Sequence, residues 1–212
     1  MKGLSAQNII VEFRRPDGSH IRVLDEVSLT VTPGMLVGLT GPSGRGKTTL
    51  GRVMAGLVHP ASGEVLCDGV PVGNVRTRAG IRVRGRIGMV FQSPRRSCDP
   101  RLTLRKTILQ TADPQSDLAE ILAAVVLTND LLDRYPAQVS DGQLQRAAVA
   151  RTLAARPDYI VLDEMTSMLD PATTATLMYA ISGFVNAGGG ALMISHDHEL
   201  VQAVADVVRV VS

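Results

Sequence analysis

The run Gly41-Pro42-Ser43-Gly44-Arg45-Gly46-Lys47-Thr48 constrains this chain more than any other feature. It follows a compact apolar segment, residues 35 to 40, and precedes residues 47 to 57, whose pattern fits a helix. A glycine-rich loop between a buried strand and a helix lets backbone N–H groups converge on phosphate oxygens, and the helix N-terminus adds partial positive charge. Lys47 then bridges the terminal phosphates, and the Thr48 hydroxyl stands where it can ligate magnesium. The plain alternative, an ordinary glycine-rich turn, does not account for the flanking strand and helix.

The rest of the chain reads as an α/β protein. Residues 8 to 13 and 21 to 31 are β-branched runs separated by Arg15-Pro16-Asp17-Gly18, two antiparallel strands and a turn. Residues 64 to 90 suggest further short strands. Helix-type periodicity over 103 to 132 breaks at Asp113-Pro114 and Asn129-Asp130, which suggests a helical insert over roughly 93 to 140. A helix from Gly142 to Ala155 leads to a strand, Tyr159 to Asp163. Asp170 is placed to cap a helix over Pro171 to Val185 that ends at glycines 188 to 190. A strand at 191 to 195, a short helix and a strand near 207 to 211 complete a single domain over 1 to 212. Buried strands alternating with helices imply a largely parallel sheet covered on both faces.

Composition narrows the function classes. Hydrophobic residues make up 45% and charged residues 20%, which excludes wholesale disorder. No apolar run approaches the roughly 20 residues of a membrane-spanning helix, so a membrane role would be peripheral. A net charge of +2 does not point to nucleic acid as a partner. Lys47 is one of only three lysines. Cys67 and Cys98 lack zinc or disulfide spacing, and the first residues lack a leader pattern, so a reducing cytosolic setting is expected.

Tyr159-Ile-Val-Leu-Asp163-Glu164 is an apolar strand ending in two acids. Buried beside the phosphate loop, Asp163 needs a strong partner, and magnesium held at the strand's end is one. Glu164 is next in line to orient or deprotonate an attacking water. Taken alone, the two acids also fit a helix cap or a solvated pair.

Val139-Ser140-Asp141-Gly142-Gln143, followed by Leu-Gln-Arg-Ala-Ala-Val-Ala-Arg, resembles the LSGGQ signature and helix of the ATP-binding-cassette (ABC) ATPases. Gln92 in Phe91-Gln92-Ser93-Pro94 resembles that family's Q-loop, Ser167-Met-Leu-Asp170 its D-loop and His196 its switch histidine, so the resemblance covers roughly residues 8 to 211. It implies a P-loop NTPase core with an antiparallel β-subdomain and an inserted helical subdomain. It also implies ATP and Mg2+ as ligands. Phe13 would stack on adenine, residues 41 to 48 and Thr49 would hold the phosphates, and Thr48, Gln92 and Asp163 would serve the metal. Glu164, His196 and Gln92 would act in hydrolysis. Two cassettes would pack head to tail, with Ser140, Gly142 and Gln143 reaching the nucleotide bound on the partner. Each of Gln92, His196 and Phe13 alone is compatible with a structural role; their order and spacing carry the reading for Gln92 and His196.

Ser97-Cys-Asp-Pro100-Arg101-Leu-Thr-Leu-Arg-Lys-Thr-Ile108 and Leu144 after the signature glutamine resemble the peptide and nickel importer branch. That implies an importer subunit on the inner face of the cell membrane. Its partners would be membrane subunits, a second ATPase subunit, identical or paralogous, and a solute-binding protein. Another ABC transporter, including an exporter, and a soluble ABC ATPase of DNA repair or translation are the alternatives. Asp141 departs from the signature, which usually has glycine there; its carboxylate either faces the nucleotide or points to solvent. The chain ends at Val210-Val211-Ser212, short of many relatives. Nine arginines and Lys106 fall between Arg76 and Lys106 with Asp99 as the only acid, which reads as a solvated basic face or a docking surface for acidic groups.

Overall fold

The computed structural model describes residues 2–15, 17–73, 78–167 and 169–211, and the side chains of all of these but 78 and 79. Pro16 of the first turn, Met168 of the D-loop-like run and Arg76 of the basic stretch lie outside the described residues. Strands β1 (Leu4–Arg14) and β2 (His20–Val31) pair antiparallel, and β4 (Ser62–Cys67) and β5 (Val70–Pro71) extend them into a sheet of order β2-β1-β4-β5. Both strands of the opening hairpin alternate buried and exposed side chains over part of their length, as a sheet with one covered face requires.

The second sheet is parallel, with order β6-β7-β8-β3-β9. Its strands are β3 (Leu36–Thr40), β6 (Ile87–Val90), β7 (Tyr159–Asp163), β8 (Gly190–Ile194) and β9 (Val207–Val210). Every residue of β3, β7 and β8 is buried, which is why these strands read as unbroken apolar runs. One core lies between this sheet, the antiparallel sheet and α1 (Lys47–Met54). The other lies on the opposite face, under α4 (Leu104–Leu109), α7 (Asp141–Ala154) and α8 (Pro171–Asn186).

Local chemistry explains most helix starts. Asp170 caps α8 by accepting from the Thr173 amide at 2.9 Å, with Pro171 in the first turn. Thr103 caps α4, Asp117 caps α5 (Leu118–Ala124) and Asp197 caps α9 (His198–Val204) in the same way. Two expectations need correction. Residues 78 to 85 form a helix, α2 (Arg78–Gly85), where further strand was expected. Asn129-Asp130 does not break a helix but begins one, α6 (Asn129–Leu132), after Thr128. The short α3 (Pro94–Ser97) follows β6.

A polar knot joins the two sheets. Arg86, just before β6, pairs with both Asp68 and Asp158, and the Tyr159 hydroxyl donates to Asp68 at 2.7 Å. Burial opposes ionisation of Asp68, but hydrogen bonds from Tyr159, Arg86 and the Gly3 amide outweigh it and lower its pKa. Burial also pushes the neighbouring Cys67 thiol up to about 11, so it is unreactive.

Candidate active site

The C-terminal ends of four neighbouring strands converge on one edge of the parallel sheet: β3 runs into the glycine loop, β7 ends in Asp163, β8 leads to His196 and β6 to Gln92. This is where open α/β sheets bind ligands. In the loop, Gly41 has φ +138° and Gly46 φ +82°. A Cβ at Gly41 would stand 2.4 Å from the Val211 carbonyl oxygen, and one at Gly46 2.8 Å from that of Val23, so only glycine lets the loop pass between its neighbours. Ser43, Gly44 and Arg45 are exposed at its tip, and Thr49 sits half-buried in the first turn of α1.

Helix α1 begins at this loop with no side-chain cap, unlike α4, α5, α7, α8 and α9. Its first amides are therefore left to an anion. Lys47 is only 7% exposed. Its Nζ donates to the carbonyl oxygens of Gly41 at 2.7 Å and Pro42 at 2.8 Å, which hold the ammonium against the loop. The Thr48 hydroxyl donates to Asp163 Oδ1 at 2.8 Å, with Asp163 3% exposed.

A buried carboxylate beside a hydroxyl is a pair of oxygen donors of the kind a hard divalent cation takes, with phosphate oxygens completing the shell. Among the described residues no group of three or more His, Cys, Asp or Glu could hold a metal by itself. The donor set thus fits magnesium carried with a phosphate ligand and does not fit a resident metal cage.

Burial pushes the Asp163 carboxyl above the ordinary carboxylate range; the Thr48 hydroxyl and the Arg52 charge oppose the shift, and Glu164 adds to it. A folded-state pKa above the unfolded one means stability that is present at low pH and lost as pH rises through the raised value. Asp163→Asn is therefore expected to raise the melting temperature of the nucleotide-free chain near neutral pH. It is also expected to flatten the dependence on pH above about 4. Thermal unfolding across that range checks both.

Glu164 adopts φ +51°, the left-handed region that costs a residue with a side chain, and its amide donates to the Ile194 carbonyl at 2.9 Å. Strain of this kind clusters where a side chain must be aimed. Here the aim is at His196, whose Nδ1 stands 2.6 Å from Glu164 Oε2. An ionised carboxylate only accepts, so Nδ1 donates and Nε2 is left for another group. The Glu164 side chain is 15% exposed and that of His196 63%, which leaves the pair open to a ligand from outside. Gln92 Nε2 lies 3.5 Å from the Ser167 hydroxyl, so the structure brings Gln92 to the turn after Glu164. Phe13, opposite Ile21 near the end of the β1–β2 pair, is 44% exposed.

The signature-like run begins α7. The Ser140 hydroxyl accepts from the Gln143 amide at 3.2 Å, and Gln143 Oε1 accepts from the Ser140 amide at 3.0 Å. This capping box commits the Gln143 side chain to its own helix but leaves the Ser140 hydroxyl proton free to donate outward. An open hollow of about 490 Å³ is lined by Ser140, Gly142, Gln143 and the start of α8. A larger one, about 790 Å³ between α5 and the C-terminal end of α8, touches none of these residues.

The exposed Asp141 carboxylate lines the same hollow as Ser140 and pairs with Arg95, Oδ1 to Nε at 2.6 Å. The basic stretch is likewise partly neutralised, with Arg101 on Asp99 and Arg105 on Asp133 besides Arg86 and Arg95. Sequence reasoning assigned no role to Arg95, Gln145 or Arg146. Arg146 Nη2 donates to the Thr173 hydroxyl at 3.1 Å, and that hydroxyl donates to Asp170, tying the signature helix to the start of α8. Gln145 and Arg146 lie within the signature-like helix and Arg95 within the basic stretch, but neither run points to their partners.

A family profile described as ABC transporter matches residues 24–167. A methionine import ATP-binding protein of Cutibacterium acnes is 37% identical over 214 residues, which cover 97% of this chain and 58% of that protein. This chain thus spans little more than half the length of that relative. A nickel import ATP-binding protein of Brucella suis is 36% identical over 220 residues, 97% of this chain and 82% of that one. A solved ATP-binding cassette, dimeric in a post-hydrolysis state bound to ADP and Pi, superposes with a TM-score of 0.86 at 25% identity, covering 99% of this chain and 94% of its own. The profile match, these two relatives and a parallel sheet that gathers the phosphate loop, both acids and the histidine on one edge lead to one assignment: the chain belongs to the ABC transporter family.

Proposed function

We propose that this chain is the ATP-hydrolysing nucleotide-binding subunit of a bacterial importer for peptides, nickel or metal chelates. The observation that carries the reading is the single edge where Lys47, Thr48 with Asp163, and Glu164 with His196 meet. Relatives named for methionine and nickel import support the importer class.

On ATP binding, the Lys47 ammonium exchanges the Gly41 and Pro42 carbonyls for phosphate oxygens, and the first amides of α1 take the rest of the charge. Thr48 and Asp163 would hold magnesium, which supplies charge neutralisation on the phosphate oxygens. Glu164 orients a water against the γ-phosphorus and takes its proton as the bond to ADP breaks. His196 holds the Glu164 carboxylate through Nδ1 and contacts the γ-phosphate, to which its Nε2 donates when the ring carries both protons. Phe13 offers an exposed ring for adenine, and Gln92 reports the occupied site through Ser167.

The partner cassette, identical or paralogous, places its Ser140 hydroxyl, its Gly142 amide and its Gln143 region over the same phosphate. Membrane subunits and a solute-binding protein complete the importer, with this chain peripheral on the cytoplasmic face. Phosphate release from ATP by the full chain, with magnesium or with excess chelator, tests the reading. Magnesium-dependent release is expected, and its absence with intact ATP binding would count against hydrolysis. Sedimentation is expected to show a monomeric or weakly associating chain without nucleotide, because ATP forms the centre of the shared interface. A tight dimer without ATP would contradict that arrangement.

A further inference from the structure

Three side chains stitch the signature helix to the segment around Gln92. The Gln145 amide, fully buried, donates to the Phe91 carbonyl at 3.2 Å, and Arg151 Nη1 donates to the Ser97 carbonyl at 2.7 Å. Between these two lies Arg95 of α3, three positions beyond Gln92. Its Nη1 donates to the Pro136 carbonyl at 3.0 Å and its Nη2 to the Val139 carbonyl at 3.1 Å, and its Nε pairs with Asp141. Nη1 and Nη2 of the guanidinium therefore each have a carbonyl acceptor in residues 136 to 139, and Nε is in ion-pair contact with Asp141.

Geometry explains why an acid fits at position 141. The carboxylate stands in the first turn of α7, where the helix dipole favours it, and Arg95 offsets part of its repulsion toward a phosphate near Ser140. A glycine there would leave Arg95 with two neutral acceptors and no anion.

We infer that Asp141 is a positioning residue, which with Arg95 locks the segment after Gln92 to the loop that opens the signature helix, so that the two move as one piece. This coupling rests on the proposed ATPase reading for its use: Gln92 serves the nucleotide of its own chain, while Ser140 and Gly142 serve the partner's. A rigid link between them makes the two nucleotide sites respond together.

The test uses the full chain as wild type, Asp141→Asn, Asp141→Glu, Arg95→Met and the double variant Asp141→Asn with Arg95→Met. Hydrogen exchange of amides in residues 95–98 and 139–143, without nucleotide, reads the lock independently of catalysis. Asp141→Asn is expected to speed exchange in both segments about two- to fivefold, the scale of an exposed charge pair, and Asp141→Glu to restore it. In steady-state hydrolysis, kcat is expected to fall by a similar factor with KM for ATP unchanged within about twofold, and the double variant to lose no more than Arg95→Met alone. Unchanged exchange in Asp141→Asn, or losses in the double variant that simply multiply, would overturn the inference. If the wild-type chain hydrolyses no ATP while exchange follows the pattern above, the lock stands and the ATPase reading falls.

Discussion

Glu164→Gln is expected to bind ATP about as well as the wild-type chain while its turnover falls about a hundredfold or more. The amide keeps the shape of the carboxylate, and its oxygen can still accept from His196 Nδ1, which in the wild-type chain stands 2.6 Å from Glu164 Oε2. What disappears is the group that takes the proton from water. The left-handed backbone at Glu164 and its amide bond to Ile194 are untouched by the change, so the side chain stays aimed. Pre-steady-state and steady-state phosphate release measure the loss. A fall of less than about tenfold would mean that another group takes the proton.

Lys47→Ala is expected to weaken ATP binding by about ten- to a hundredfold, the worth of a charge-assisted contact to phosphate. The free structure shows why the effect falls on binding. Lys47 already sits inside the loop on the Gly41 and Pro42 carbonyls, so its side-chain order is largely established before ligand arrives. Removing it leaves those carbonyls and the uncapped start of α1 in place but subtracts the cation from the terminal phosphates. Equilibrium titration with a fluorescent ATP analogue measures the change; affinity within about twofold of wild type would remove Lys47 from the phosphate site.

Much of this architecture was legible because its chemistry is local. The glycine loop between an apolar run and a helix, the Asp170-Pro171 helix start and the buried strand ending in Asp163 each carry their signal within a few residues, and each stands where expected. The α2 helix was misread because Ile81-Arg82-Val83-Arg84 alternates with the period of a strand, while only Val83 turns into the core. Strand β1 begins earlier than its β-branched run because Leu4 to Ala6 pair with β2 on one side and β4 on the other, which sequence spacing does not reveal.

In the site, the phosphate loop and the two acids announced themselves, whereas the partner of Asp141 did not. Arg95 meets it only because α3 packs beside the start of α7, a tertiary contact between groups with no shared motif. The same holds for Gln145 on the Phe91 carbonyl and Arg146 on Thr173.

The central claim is that the site divides into residues that hold the nucleotide and a residue that activates water. Titrating ATP against Lys47→Ala and Glu164→Gln side by side, under conditions without turnover, tests it most directly. The division predicts a Lys47→Ala curve shifted about ten- to a hundredfold to weaker binding and a Glu164→Gln curve that overlays the wild type within about twofold. An equal loss of affinity in both variants would contradict it.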